Sequence, residues 1–352
     1  MYTTPPHTPT PTQVPRDTQA LEDALSAPSQ ALIDMFGQRP GDILVLGAAG
    51  KMGPTLARMA QRATQQAGNG ARVIGVSRFS DPAEKSKLEA WGIETIQGDL
   101  LDASFVQSLP DAPHVVYMAG MKFGATGKES LTWAMNSLLP ARICERFAGQ
   151  TIAAFSTGNV YGLTPVMRGG SIESDPLNPQ GEYAMSCLGR ERTFEHYSRT
   201  NGTRVSLLRL NYACDLRYGV LVDLAQRIYR NEPVDLCMPA FNIIWQRDAN
   251  EMALRSLADA DSPPNVLNIA GPEQLSVRRV CRQLANLLDR PAMFTGEEQT
   301  EAILSNGQKG HRRYGYPTVA ADLLIEWVAQ WLKQGGELLG KPTKYEARDG
   351  KF

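Results

Sequence analysis

The stretch DILVLGAAGKMGPTLARMAQRATQQA, residues 42–67, decides how the rest of the chain is read. Its first part, DILVLG (42–47), is a short apolar run that stops on glycine. Its last part, PTLARMAQRATQQA (54–67), spaces its apolar residues as a helix does. Between them GAAGKMG sets Gly47, Gly50 and Gly53 at a strand-to-helix turn. The first glycine permits the tight turn, the second lets backbone approach a pyrophosphate, and the third lets helix and strand lie close. The helix N-terminus then faces the phosphates. Lys51 and Met52 lie within this loop and join the glycines as cofactor-contact candidates. No Lys-Ser/Thr pair closes the loop, so a nucleoside-triphosphatase cradle is not expected.

Outward from this turn the pattern repeats. RVIGVS (72–77), IETIQGD (93–99), HVVYMAG (114–120) and TIAAFSTG (151–158) are short apolar runs, and helical segments separate them, one of them around 130–148. Such alternation indicates βαβ units and a parallel sheet. RVSLLRL (204–210) and NVLNIAG (265–271) read as later strands of that sheet. The expected class is α/β: a Rossmann doubly wound parallel sheet with a smaller α/β substrate-side lobe. We divide the chain into a disordered Thr/Pro-rich tail (1–17), an N-terminal helical extension (18–40) that Pro28 splits in two, an NAD(P)-binding domain (41–210, with the returning strand near 265–271) and a mainly substrate-binding lobe (211–352).

Composition narrows the function. The 352 residues are 42% apolar with a formal net charge of −1, so neither nucleic acid nor an anionic membrane is an expected partner. No apolar run is long enough to span a bilayer. No signal peptide is evident, and a cytoplasmic location is expected. The five cysteines are dispersed without a CxxC pair, and the four histidines lack metal-ligand spacing, so no structural metal is expected.

With its GxxGxxG spacing and the motifs that follow, the chain resembles the extended short-chain dehydrogenase/reductases, the NAD-dependent epimerase/dehydratase family, from about Gly41 to about Gln334. NAD enzymes usually carry an acidic residue after the second strand. Here Ser77 and Arg78 stand there, and Arg78 suits a 2′-phosphate, so NADP is preferred over NAD; as a plain surface charge Arg78 would leave both open. The resemblance implies that Asp99 and Leu100 border the adenine. It places Ala119 and Gly120 against the cofactor, with Lys122, in MAGMKFG (118–124), aimed at phosphate or substrate.

The same resemblance supplies a reaction centre. Asn136, in WAMNSLLP, corresponds to an asparagine that holds a water and a helix backbone. FSTGNVYG (155–162) puts Thr157 at the hydroxyl that positions the substrate oxygen, with Ser156 and Asn159 as neighbours on the substrate. The sugar dehydratases carry Asp and Glu after that hydroxyl; Gly158 and Asn159 stand here, so elimination of water is not expected. Tyr183, in GEYAMSC, corresponds to the acid/base tyrosine. Cys187 replaces the lysine that normally lowers the phenol's pKa, and Arg190 and Lys122 are the candidates to supply the missing charge. LRLNYACDLRYG (208–219) offers Arg209, Asn211, Tyr212 and Arg217 to substrate. Trp245 is placed at the pocket border, and Asp248 is read as a helix N-cap.

The expected function is NAD(P)-dependent oxidoreduction or epimerisation of a hydroxyl on a carbohydrate-like substrate. The alternative is a non-catalytic NAD(P)-binding regulatory or scaffold protein with a degenerate site. A homodimer is left open.

Overall fold

The computed structural model describes residues 13–122 and 126–351. Most of the Thr/Pro-rich tail and the end of the 118–124 loop lie outside the described residues. Seven parallel strands form the central sheet. In chain order they are β1 (Ile43–Leu46), β2 (Val73–Ser77), β3 (Glu94–Gln97), β4 (His114–Tyr117), β5 (Thr151–Thr157), β6 (Arg204–Leu210) and β7 (Asn265–Ile269). They lie in the order β7-β6-β5-β4-β1-β2-β3. Ile43 of β1 is in register with Val73 of β2 on one side and His114 of β4 on the other.

Helices cover both faces of this sheet, so its central strands are buried on both sides and read as continuous apolar runs. ILVL in β1 is buried at every position, whereas the edge strand β3, ETIQ, is partly exposed. The order in which strands are added reverses between β1 and β4, and a crevice opens there beyond the carboxyl ends of the strands. The glycine loop enters this crevice.

The N-terminal extension forms two helices, Thr18–Leu25 and Gln30–Gln38. Asp17 caps the first by accepting from the Ala20 amide at 2.8 Å, and Ser29 caps the second. Pro28 sits between them. Leu21 and Leu25 pack into the core of the substrate-side lobe, with Leu224, Phe241 and Trp331. Leu32 and Phe36 pack into the core on one face of the sheet, with Leu56 and Ile43. The extension therefore bridges two cores rather than resting on the outside of one.

Two details of the sequence reading change. Asp248 is not an N-cap: its helix, Gln246–Arg255, starts two residues earlier, after Trp245. Asp248 instead accepts from Arg247 at 3.0 Å and from the Thr318 amide at 2.8 Å. The segment expected as one helix around 130–148 is interrupted by a π turn at Ala134–Leu138.

Among the described residues no helix is long and apolar enough to cross a membrane, and no His/Cys/Asp/Glu group could hold a metal. None of the five cysteines forms a disulfide. Phe36 is fully buried. Phe36→Ala is expected to lower the unfolding free energy by about 3–5 kcal/mol in urea titration, as for a core aromatic; a loss under about 1 kcal/mol would show the extension to be peripheral.

Candidate active site

The crevice holds a groove of about 460 Å³ whose walls include Gly47, Gly50, Lys51, Ser77, Arg78, Asp99, Leu100, Ala119 and Gly120. The structure thus brings together most of the residues that the sequence assigned to a cofactor. Gly47 has φ +92°, and a β-carbon there would stand 2.9 Å from the Ala119 amide, so only glycine fits the turn. Gly53 opens the loop helix, Gly53–Ala67, close against Ala48. Such a groove, with backbone exposed at a helix N-terminus, suits a dinucleotide.

A second cavity of about 200 Å³ lies beside it, and Lys51 lines both. Its walls include Ser156, Thr157 and Asn159 from the end of β5, Tyr183, and Asn211 and Tyr212. Met52, expected on the cofactor, opens into this cavity instead, and Lys122, expected at phosphate or substrate, opens into it too. Thr157 ends β5, and its hydroxyl accepts from the Asn159 amide at 3.2 Å, starting a tight turn. Tyr183 comes from the first turn of the long helix Gly181–Asn201. Burial raises its phenol well above the ordinary value. Cys187 adds to that rise, whereas Arg190 and a hydrogen bond with Thr157 oppose it.

Asn136 lies in the π turn and is fully buried. Its amide Nδ2 donates to the Met121 carbonyl at 3.0 Å and to Ser186 Oγ at 2.9 Å. Its Oδ1 accepts from the Met121 amide at 3.0 Å and from Arg190 Nη2 at 2.5 Å. Two donors and two acceptor sites are the capacity of the group. Protein atoms fill all four, so Asn136 clamps the loop after β4 to the tyrosine helix rather than holding a water.

Three expected substrate residues are elsewhere: Arg217 lines the groove, and the other two are turned into the protein. Arg209 is buried in an ion pair with Glu191 at 2.7 Å and also donates to the Tyr161 hydroxyl at 2.8 Å. Ser156 donates to the same Glu191 at 2.6 Å. Trp245 is buried in the lobe core, edge-on to Trp327 at 5.9 Å between centroids. Strand-end position predicted both, but the facing of each side chain turned them inward. Sequence reasoning also missed wall residues: Tyr218 and Thr343 in the cavity, and Leu339 and Lys341 in the groove beside Arg217.

The NAD dependent epimerase/dehydratase family profile matches residues 43–270. This chain belongs to that family. Solved structures with the same fold include the UDP-glucuronic acid 4-epimerase of Bacillus cereus in complex with UDP-glucuronic acid and NAD, 19% identical, covering 83% of this chain and 99% of that one, with a TM-score of 0.68. The dTDP-glucose 4,6-dehydratase of Streptomyces venezuelae, with NAD bound, is 20% identical over 83% of this chain and 97% of that one, with a TM-score of 0.70. The UDP-glucose 4-epimerase of Thermotoga maritima is 17% identical over 84% and 99%, with a TM-score of 0.68. A search of the curated proteins finds no significant match.

Cys187, read from the sequence as standing where a lysine is expected, lies four residues after Tyr183 on the same helix. Cys187 is fully buried in a small apolar cluster with Val160 and Tyr161, against Leu177, Tyr183 and Leu188. Burial raises its thiol pKa, and Arg190 and Lys122 lower it. Arg190 lies under the loop that follows β4. It donates to the Phe155 carbonyl at 2.7 Å as well as to Asn136, and a β-carbon at Gly120 would stand 2.4 Å from its Nη2. Lys122 Nζ lies 5.8 Å from the centre of the Tyr183 ring. Cations thus approach the phenol from two directions while position 187 stays neutral. A lysine at 187 would bury an ammonium in the apolar cluster and repel Arg190. Cys187→Lys is expected to destabilise the fold by several kcal/mol in urea titration and to leave turnover no higher; a faster, equally stable variant would mark the cysteine as a simple loss.

Proposed function

We propose that the protein is an NAD(P)-dependent epimerase or oxidoreductase acting on a hydroxyl or keto carbon of a sugar or sugar-acid-like substrate. The observation that carries this reading is the convergence of the Tyr183 phenol and the Thr157 hydroxyl on one cavity adjoining the dinucleotide groove. Nicotinamide, when bound in the groove, supplies the acceptor or donor of hydride. Thr157 holds the reacting oxygen, and Tyr183 takes its proton during oxidation or returns one during reduction. Asn136 acts at a distance by fixing the loop that carries Gly120. Elimination of water finds no support: Gly158 and Asn159 follow Thr157 where an acid and a base would be needed.

NADP is the proposed preference, although two of the solved structures above carry NAD. Arg78 and Lys87 line the groove wall that Ser77 begins, where a 2′-phosphate would be neutralised, and Asp81 and Glu84 on the same wall oppose this. Leu131, Trp133 and Leu138 are exposed on helices packed against the tyrosine helix, which itself exposes Met185. This face supports a homodimer.

The catalytic assignment fixes a pH response. Oxidation needs the phenolate, and the Tyr183 pKa stands well above 10. At saturating substrate kcat for oxidation is expected to climb through pH 9 without levelling, while kcat for reduction, which uses the neutral phenol, stays flat. Tyr183→Phe is expected to lower turnover by about 10²–10⁴-fold with cofactor still bound. Retained activity, or a plateau below pH 8, would remove Tyr183 from the proton transfer. Arg78→Ala is expected to weaken NADP binding about tenfold in fluorescence titration and to change NAD binding little; equal losses for both would overturn the NADP preference.

A further inference from the structure

The segment 339–350 builds walls of both the groove and the cavity. The Leu339 amide donates to the Arg217 carbonyl at 3.1 Å. Leu339 and Lys341 then line the cofactor groove, and Thr343 lines the cavity. Thr343 is pinned by its amide, at 2.7 Å, and its hydroxyl, at 2.5 Å, both donating to Asp223 Oδ2. Lys122 Nζ donates to the Thr343 carbonyl at 3.5 Å. Tyr345 is buried in the lobe core, and Arg348 donates to the Glu301 carbonyl at 2.7 Å. Gly350 abuts Gln180 and Gly181, at the start of the helix that carries Tyr183. The strap is therefore anchored from the groove to the tyrosine helix and contributes Thr343 to the cavity wall.

What remains beside Tyr183 is about 200 Å³. Pockets for drug-sized ligands run roughly 300–1,000 Å³. Two lysines, Lys51 and Lys122, reach this small space, and Lys344 stands near enough to Lys122 to act on it. Asp223, the acidic group facing them, is tied to the strap and is itself pushed toward its neutral form by burial. Desolvation, then repulsion from Lys122, drives Lys51 down to about 7. An anion between the two lysines would relieve that repulsion and be held strongly in a confined site.

Resting on the reading of this cavity as the substrate site, we propose that the strap and the Lys51–Lys122 pair select a small, free anionic carbohydrate, bearing a carboxylate or a phosphate, and exclude nucleotide-linked sugars.

Calorimetric titration of the cofactor-loaded full chain with glucuronate, glucose 6-phosphate, glucose and UDP-glucuronate tests it. Glucuronate or glucose 6-phosphate is expected to bind at least about tenfold tighter than glucose, and UDP-glucuronate is expected not to displace it. The tighter of the two acids tells carboxylate from phosphate. Lys51→Met and Lys122→Met are each expected to weaken the anion at least about tenfold and flatten its salt dependence, with Lys→Arg at either position restoring both. The arginine variants and melting temperatures separate a lost charge from a lost fold. Displacement by UDP-glucuronate, equal binding of glucose, or no binding of either acid would overturn the proposal. Anion binding without any hydride transfer would overturn the enzyme reading and leave this one standing; turnover of UDP-glucuronate would do the reverse.

Discussion

One buried guanidinium governs the arrangement of the site. Arg190 is 6% exposed, and two of its nitrogens, Nη1 and Nη2, find buried acceptors, while Nε has none. It reaches the Phe155 carbonyl near the end of β5 and Asn136 in the π turn, while its own helix carries Tyr183. Asn136 in turn holds both polar groups of Met121 in the loop after β4. Strand end, π turn, β4 loop and tyrosine helix are thereby fixed to one another around a single group. Gly120 has no side chain because the guanidinium occupies the space that a β-carbon would need.

The two ends of the described chain complete the walls that the family-matched region, residues 43–270, leaves open. From the N-terminal side, Glu22 pairs with Arg217 at 3.2 Å, and Asp215 pairs with the same guanidinium at 3.0 Å. Arg217 lines the cofactor groove, so a helix far from the glycine loop helps to set that wall. From the other side the 339–350 strap sets the adjoining one. Both segments bury apolar residues in the lobe core, Leu21 and Leu25 from one and Tyr345 from the other, which anchors each firmly enough to shape a pocket.

The features legible in the sequence are those whose cause is local. ILVL and HVVY announce buried parallel strands by composition, and GAAGKMG announces its turn because a positive φ at Gly47 and a close backbone approach demand glycine. Tyr183 and Thr157 were placed by motif and meet at one cavity. What was not legible depends on partners distant in sequence. Thr343 is a wall residue because Asp223 holds it, and the π turn at Asn136 exists within a cluster that joins β5, the tyrosine helix and the β4 loop. Arg209 and Trp245 show the same limit: a strand end was visible, but Glu191 and Trp327 decided which way each side chain would face.

The cysteine at 187 follows from the same economy of charge. A helix face that already buries Arg190 one turn further on can place a second cation beside it only against repulsion. At 187 that cation would also lie among Val160, Tyr161 and Leu188, and the carboxylate felt there, Glu191, is already paired with Arg209 at 2.7 Å. A thiol fills the space as a small apolar group. Positive charge reaches the phenol instead from Lys122 on the β4 loop and from Arg190 beneath it, while Lys51 sits where groove and cavity meet. The cations near the tyrosine thus stand off position 187, Arg190 buried beneath the ring and Lys122 on the cavity wall.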